Sequence, residues 1–284
     1  MITGKCLAKV NAGETERSLF MKRSGHYAVI TGASSGIGRE FAKRFAKEGY
    51  SLILVARREE RLKELADQLK EQMDSDAKCL VIPKDLRNME ECRELSERLQ
   101  KEPVSIFINN AGFGDCGIFT ETDLTKDLDM IDLNVKAMHY FTKSMLRKFK
   151  DQGGGYLLNV ASMAGLTPAG PFMATYYATK SYVVSLTRAI ARELQETGSR
   201  VYIGCLCPGP VDTEFNENAN VEFALKGITP EYCANYAVDM MKKRKTVIIP
   251  TALLKAVSSA GRLLPQDLYI ATVSKQQKKK LWKD

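Results

Sequence analysis

From His26 onward the chain alternates short apolar runs with longer amphipathic ones, and this rhythm limits the fold more than any other feature. The apolar runs cover residues 26–31, 51–56, 79–83, 104–109, 155–160, 200–206 and 245–249. Several, such as Ser51-Leu52-Ile53-Leu54-Val55-Ala56, are apolar at nearly every position. A strand with one wet face alternates polar and apolar residues, whereas a strand apolar throughout is buried on both faces, as in a parallel sheet. Helical patterns fill the intervals at 36–48, 58–73, 88–101, 122–150, 174–197 and 230–243. In the first, Ile37, Phe41, Ala42, Phe45 and Ala46 recur at helical spacing; in the second, Leu62, Leu65 and Leu69 form the buried stripe. Such alternation with right-handed crossovers yields an α/β fold, a doubly wound parallel sheet of about seven strands with helices on both faces. No Pro/Gly-rich linker interrupts it, so residues 25–250 are expected to form a single domain. Residues 1–24 read as a poorly ordered N-terminal extension, and 251–284 as a helical, lysine-rich extension of the same domain.

Charge and cysteine usage exclude several classes. The 42 Lys+Arg against 34 Asp+Glu give a net +8, much of it at Lys275, Lys278, Lys279, Lys280 and Lys283. There is no zinc finger, aromatic-studded RNA-binding strand or long basic helix, so nucleic acid is not an expected partner. The basic tail reads as solvated, with weak contact to a membrane surface as the alternative. Seven cysteines at unpatterned spacings include neither a CxxC pair nor a Cys/His cluster, so no metal is expected. Cys205 and Cys207 end an apolar run and should share one strand face. Free buried thiols suit a reducing compartment, and no stretch has signal-peptide or membrane-spanning character; a cytoplasmic protein is expected.

Four segments carry chemistry. Thr31-Gly32-Ala33-Ser34-Ser35-Gly36-Ile37-Gly38 joins the first strand to the first helix. Its glycines allow a tight turn and close approach to a pyrophosphate, which the N–H groups of a helix N-terminus would bind. A plain Gly/Ser turn is the bland alternative. The second strand ends in Ala56-Arg57-Arg58, without the acidic residue that would bind a ribose 2′-hydroxyl. Guanidinium there suits a 2′-phosphate, to which Ser34 would add a hydroxyl; the alternative is a solvated helix face. Asn109-Asn110-Ala111-Gly112 lies at the carboxyl end of the fourth strand, where an open α/β sheet has its ligand crevice. Tyr176 and Lys180 stand four apart on one helix face, where a lysine's charge favours the phenolate. Fourteen residues upstream, Ser162 follows an apolar strand, and Asn134 sits in a helical pattern where asparagine is a poor helix former.

Together these residues resemble the short-chain dehydrogenase/reductase family, over residues 26 to about 250. The resemblance implies a Rossmann-type fold and an NADP(H)-dependent enzyme acting on CH–OH groups without metal. It implies a catalytic tetrad of Asn134, Ser162, Tyr176 and Lys180. Ser162 would position the substrate oxygen, Tyr176 exchange its proton, Lys180 lower the tyrosine pKa and bind the nicotinamide ribose, and Asn134 support a proton-relay water. Asp85 and Leu86 match the adenine contact; Pro208, Gly209, Val211 and Thr213 belong to the loop that holds the nicotinamide amide. Gly32, Ser34, Ser35, Gly36, Ile37, Gly38, Arg57, Arg58, Asn110, Ala111 and Gly112 complete the expected cofactor contacts. Tyr177 competes for the tyrosine role, but its i+4 residue is Ser181.

Substrate identity rests on less patterned segments. Phe113–Phe119, with Met163, Leu166, Phe172 and Met173, suggest an apolar pocket, and Phe215–Leu225 a lid. The overall pattern is similar to hydroxysteroid dehydrogenases and long-chain ketoacyl reductases, which implies a bulky hydrophobic ketone or alcohol of steroid or bile-acid type. A 3-ketoacyl thioester or a small carbonyl is the alternative, and a non-catalytic NADP(H)-binding regulator is more remote. The family implies a homodimer or homotetramer through helices 122–150 and 174–197.

Overall fold

The computed structural model describes residues 25–215, 227–261 and 263–281. The expected extension before residue 25 and most of the expected lid lie outside the described residues. Seven parallel strands form one sheet in the order β3-β2-β1-β4-β5-β6-β7. They are β1 (Tyr27–Thr31), β2 (Ser51–Ala56), β3 (Cys79–Pro83), β4 (Val104–Asn109), β5 (Gly155–Val160), β6 (Val201–Leu206) and β7 (Val247–Ile248). The order reverses between β1 and β4, and the crevice of such a sheet opens where it does so.

Successive strand residues supply opposite faces. Ala28, Ile30, Leu52 and Leu54 pack against α1 (Gly36–Lys47), α2 (Glu59–Lys70) and the later helix Pro230–Lys242. Val29, Ile53, Val55 and Phe107 pack against α3 (Met89–Lys101) and the helices that precede and follow β5. Each fully buried Leu, Ile or Phe contributes about 1.5–3 kcal/mol relative to exposure, so both faces anchor the strand ends firmly.

The long pattern expected at 122–150 is three pieces: α4 (Leu124–Ile131), a π-helical turn (Asp132–Ala137) and α5 (Met138–Asp151). The widened turn contains Asn134, and such turns are common at functional sites. α6 (Ala174–Glu196) follows β5 and a 3₁₀ turn at Met163–Leu166, and α7 (Pro230–Lys242) follows β6. The C-terminal residues form α8 (Ala252–Gly261) and α9 (Gln266–Leu281). Leu254 of α8 lies against Gly209, and a Cβ on Gly261 would meet the Tyr269 ring 2.6 Å away. α8 therefore lies against the loop that follows β6, and α9 turns back on the end of α8.

Candidate active site

The glycine loop forms a cradle. Gly32 and Gly36 take positive φ angles of 66° and 55°, which glycine adopts at no steric cost. A Cβ on Gly32 would stand 2.8 Å from Asn110 Nδ2, and one on Gly38 would overlap the Gly32 carbonyl. Asn110 Nδ2 donates to the Thr31 carbonyl at 2.9 Å, while Thr31 Oγ1 accepts from the N–H groups of Asn110 and Ala111 at 2.9 and 3.0 Å. Asn110 therefore braces the loop against the end of β4, and Ile37 packs into the core beneath it. Helices α3, α4 and α7 have side-chain caps from Asn88, Asp123 and Thr229. Ser35, at the cap position of α1, makes no such bond, so the N–H groups of α1 face the crevice uncapped. The cradle and the open helix end fit a dinucleotide pyrophosphate.

Arg58 adjoins this loop, donating to Ser34 Oγ at 3.1 Å and Ser35 Oγ at 2.8 Å. Its third partner is Glu214, whose carboxylate lies 2.8 Å from Arg58 and 2.5 Å from Arg61. A carboxylate is thus seated among the cations and hydroxyls expected to receive a 2′-phosphate, and the arginines hold Glu214 below the usual carboxylate range. Arg57 is exposed and acts on Asp85 through its charge, as one of the weaker causes that lower the Asp85 pKa. The chief cause is Arg87, which binds the Asp85 carboxylate at 2.6 and 3.0 Å and also pairs with Asp129. The Asp85 side chain is therefore already engaged, and Leu86 is buried beside it.

The tetrad converges at the inner end. Asn134 Nδ2 donates to the Phe113 carbonyl at 2.8 Å and Thr179 Oγ1 at 3.2 Å, and its Oδ1 accepts from Phe113 N–H at 3.2 Å. It clamps the chain leaving β4. A Cβ on Gly112 would lie 2.8 Å from Asn134 Oδ1 and 3.3 Å from Lys180 Nζ, so only glycine fits beside these two groups. Lys180 Nζ donates to the Val160 carbonyl at 3.0 Å and stands 5.7 Å from the centre of the Tyr176 ring. Burial brings the Lys180 pKa down to about 8. Burial also pushes the Tyr176 phenol well above its ordinary value, and a hydrogen bond from Ser162 opposes this. Ser162, at the end of β5, accepts from Ala164 N–H at 3.2 Å. Met163 N–H donates to the Pro208 carbonyl at 2.9 Å, which ties this turn to the Pro208-Gly209 loop. Further along, Val211 pairs with Ile228, and Thr213 lies 3.1 Å from where a Gly36 Cβ would be. All four tetrad residues thus lie around one point.

Tyr177 points elsewhere, its hydroxyl accepting from Gln277 Nε2 of α9. Around the two tyrosines pack Phe113, Cys116, Phe172 and Met173 of the apolar pocket expected from the sequence, joined by Phe215 from the start of the expected lid, whereas Leu166 packs instead with Val183, Val184 and Cys207. Glu214 and Gln277 were not foreseen; neither carries a signal, one being an acid in a loop and the other a glutamine in a lysine-rich run. Cys205 and Cys207 do share a face, with their sulfurs 3.9 Å apart and buried.

Comparisons bear on this arrangement. A family profile described as short chain dehydrogenase matches residues 26–223. The ketoacyl reductase HetN of Nostoc is 30% identical over 253 residues, covering 85% of this chain and 86% of that protein. A short-chain dehydrogenase from Sphingobium yanoikuyae in complex with NADPH has a TM-score of 0.76 at 30% identity, over 85% of this chain and 94% of that one. The bulky-bulky ketone specific alcohol dehydrogenase of Comamonas testosteroni has a TM-score of 0.71 at 28% identity, over 84% of this chain and 92% of that one. Other similar structures carry NAD or NADH.

Proposed function

The chain belongs to the short-chain dehydrogenase family, and on that premise we propose that it uses NADP(H) to interconvert a bulky hydrophobic ketone and its secondary alcohol. One observation carries the reading: Tyr176, hydrogen-bonded to Ser162 and close to Lys180, is buried within an apolar wall. Bound NADPH supplies the hydride. In reduction, the Ser162 hydroxyl orients the carbonyl oxygen and Tyr176 donates the proton, because burial keeps the phenol protonated at neutral pH. In oxidation, Tyr176 must first lose that proton, and the charge of Lys180 favours the loss. Asn134 holds the Phe113 backbone in place, and water at its widened turn would relay protons.

The preference for NADP(H) is supported by Arg58 on Ser34 and Ser35, by the absence of an acidic residue at Ala56-Arg57-Arg58, and by the NADPH carried by the Sphingobium relative. The bulky substrate is supported by the aromatic wall and the Comamonas relative. Reduction of a 3-ketoacyl thioester is the second reading, favoured by the Nostoc relative. The intact tetrad weighs against a non-catalytic regulator. Self-association through α4 to α6 is supported by an apolar hollow of about 420 Å³ lined by Phe119, Ile131, Val135 and Tyr182. Among the described residues no helix is long and apolar enough to cross a membrane. Leu253 and Leu263 are nonetheless exposed, and with the lysine-rich C-terminal sequence they support a weak membrane-surface contact. The deciding experiment compares kcat/KM with NADPH and NADH across steroid, ketoacyl and small carbonyl substrates. NADPH and a bulky ketone should lead by tenfold or more, and equal values for the two cofactors would overturn the cofactor reading.

A further inference from the structure

Tyr177 and Gln277 form a hydrogen-bonded pair that proton transfer does not use. Tyr177 follows Tyr176 on α6, with ring centres 6.3 Å apart and planes at 75°. Its ring lies against Gly170, where any Cβ would overlap it, so it cannot swing to that side. Gln277 reaches it from α9, 100 residues further along the chain, and donates through Nε2 to the Tyr177 hydroxyl. Gln277 is 2% exposed, yet its Oε1 has no hydrogen-bond partner. A buried amide oxygen without a donor is costly, and native interiors rarely leave one so. Its partner Tyr177 packs against the aromatic wall of the reaction site, which includes Phe113, Phe172 and Tyr176.

We propose that Gln277, held by Tyr177, is a specificity residue that accepts a hydrogen bond from a substrate hydroxyl remote from the reacting carbonyl. The chemistry restricts the ligand group. An amide oxygen only accepts, so its partner must donate: an alcohol fits, whereas a ketone, ester or carboxylate does not. The amide is neutral, so the substrate keeps its hydrophobic character. Tyr177 fixes the Nε2 end of the amide, which leaves Oε1 as the end without a donor. The inference rests on the bulky-ketone reading above, since a small carbonyl would not span from Tyr176 to Gln277.

The test uses the full chain with NADPH and a set of polycyclic ketones hydroxylated at successive positions. Each is paired with its deoxy analogue and with the analogue bearing a second ketone at that position. In the wild type, the hydroxylated member of at least one pair should lead in kcat/KM by about tenfold, the scale of one buried hydrogen bond, with the diketone no better than the deoxy compound. Gln277→Leu should bring that ratio close to one. Both substrates are measured on the same preparation, so loss of folded enzyme cancels in the ratio. If Gln277→Leu yields no active protein, Tyr177→Phe carries the test, because it releases the amide and must lower the ratio. A wild-type ratio near one at every position, or a ratio that survives these variants, overturns the inference. Turnover of small carbonyls alone would instead overturn the bulky-ketone reading, and this inference with it.

Discussion

The two ends of the cofactor crevice are built by opposite means. At the inner end Asn134, Lys180 and Tyr176 are 2%, 5% and 8% exposed, and the first two are fixed by backbone carbonyls. At the outer end Arg58 and Glu214 keep about two-fifths of their side chains exposed and are fixed by other side chains. Burial displaces protonation at the inner end, moving Lys180 down to about 8 and Tyr176 up. Water screens the outer end, where an exposed ion pair contributes about 0–1 kcal/mol. Single changes inside should therefore act strongly on rate, while changes outside should act weakly and mainly on the choice between two cofactors.

The largest expected effect is that of Tyr176→Phe. The ring's packing against Phe215 remains, but the proton donor is lost, so kcat should fall by about a hundredfold or more with NADPH affinity nearly intact. Stopped-flow turnover and cofactor titration measure the two separately. A variant with near wild-type kcat would remove the tyrosine mechanism altogether.

Lys180→Met tests whether burial sets the chemistry there. The folded pKa of about 8 lies below the ordinary 10.5 of an unfolded lysine. Between about pH 8 and 10 the unfolded chain still holds a proton that the folded chain has released, so this residue stabilises the wild type progressively as pH rises. Relative to the variant, the cofactor-free wild type should gain about 2 kcal/mol between pH 7 and 10, read from paired thermal or urea unfolding. Parallel curves would place the ammonium in a wetter site. The same variant should raise the apparent pKa that governs alcohol oxidation, because a charge favouring phenolate is gone.

Arg58→Ala moves to the outer end and should be milder. It removes a guanidinium bound to both loop serines, so NADPH should bind about tenfold more weakly and NADH within about threefold of wild type. Equal losses for both cofactors would show that Arg58 braces the loop rather than choosing the cofactor. Arg57 serves as the internal comparison, since its charge reaches toward Asp85 instead.

What the sequence conveyed follows the same division. The seven strands and the glycine loop were legible because backbone burial and positive φ angles restrict residue type: β2 admits only apolar residues or Ser51, and Gly38 has no room for a Cβ. Tyr176 could be preferred to Tyr177 because helix periodicity places Lys180 on its face, and the contact between Tyr177 and Gln277 agrees with that choice. The π-helical turn left no sign beyond Asn134, since Asp132-Leu133-Asn134-Val135-Lys136-Ala137 is also compatible with an ordinary helix. The different positions of Arg57 and Arg58 depend on side-chain rotation, which adjacent identical residues cannot announce. Gln277 was hidden for a tertiary reason: its own run of polar residues reads as a solvated face, yet it is buried and bound to Tyr177, 100 residues away in the chain.

The smallest expected effect belongs to Glu214→Gln, and its sign is the informative part. Glu214 binds Arg58 and Arg61 at 2.8 and 2.5 Å, in the position a 2′-phosphate would need. A phosphate arriving there must displace the carboxylate or lie beside it, and either course opposes binding. Both arginines are partly exposed, with side chains 42% and 46% accessible, so the opposition is well screened. Replacing the carboxylate by an amide keeps the size and removes the charge. NADPH should then bind about two- to fivefold more tightly, the range of a screened surface ion pair, with NADH unchanged. The gain should shrink as salt rises, because added ions screen the carboxylate in the wild type already. Isothermal titration of both cofactors at low and high ionic strength reads all three outcomes. Weaker NADPH binding by the variant would mean that Glu214 orients the arginines for the phosphate instead of competing with it, and the outer end would then be as cooperatively built as the inner one.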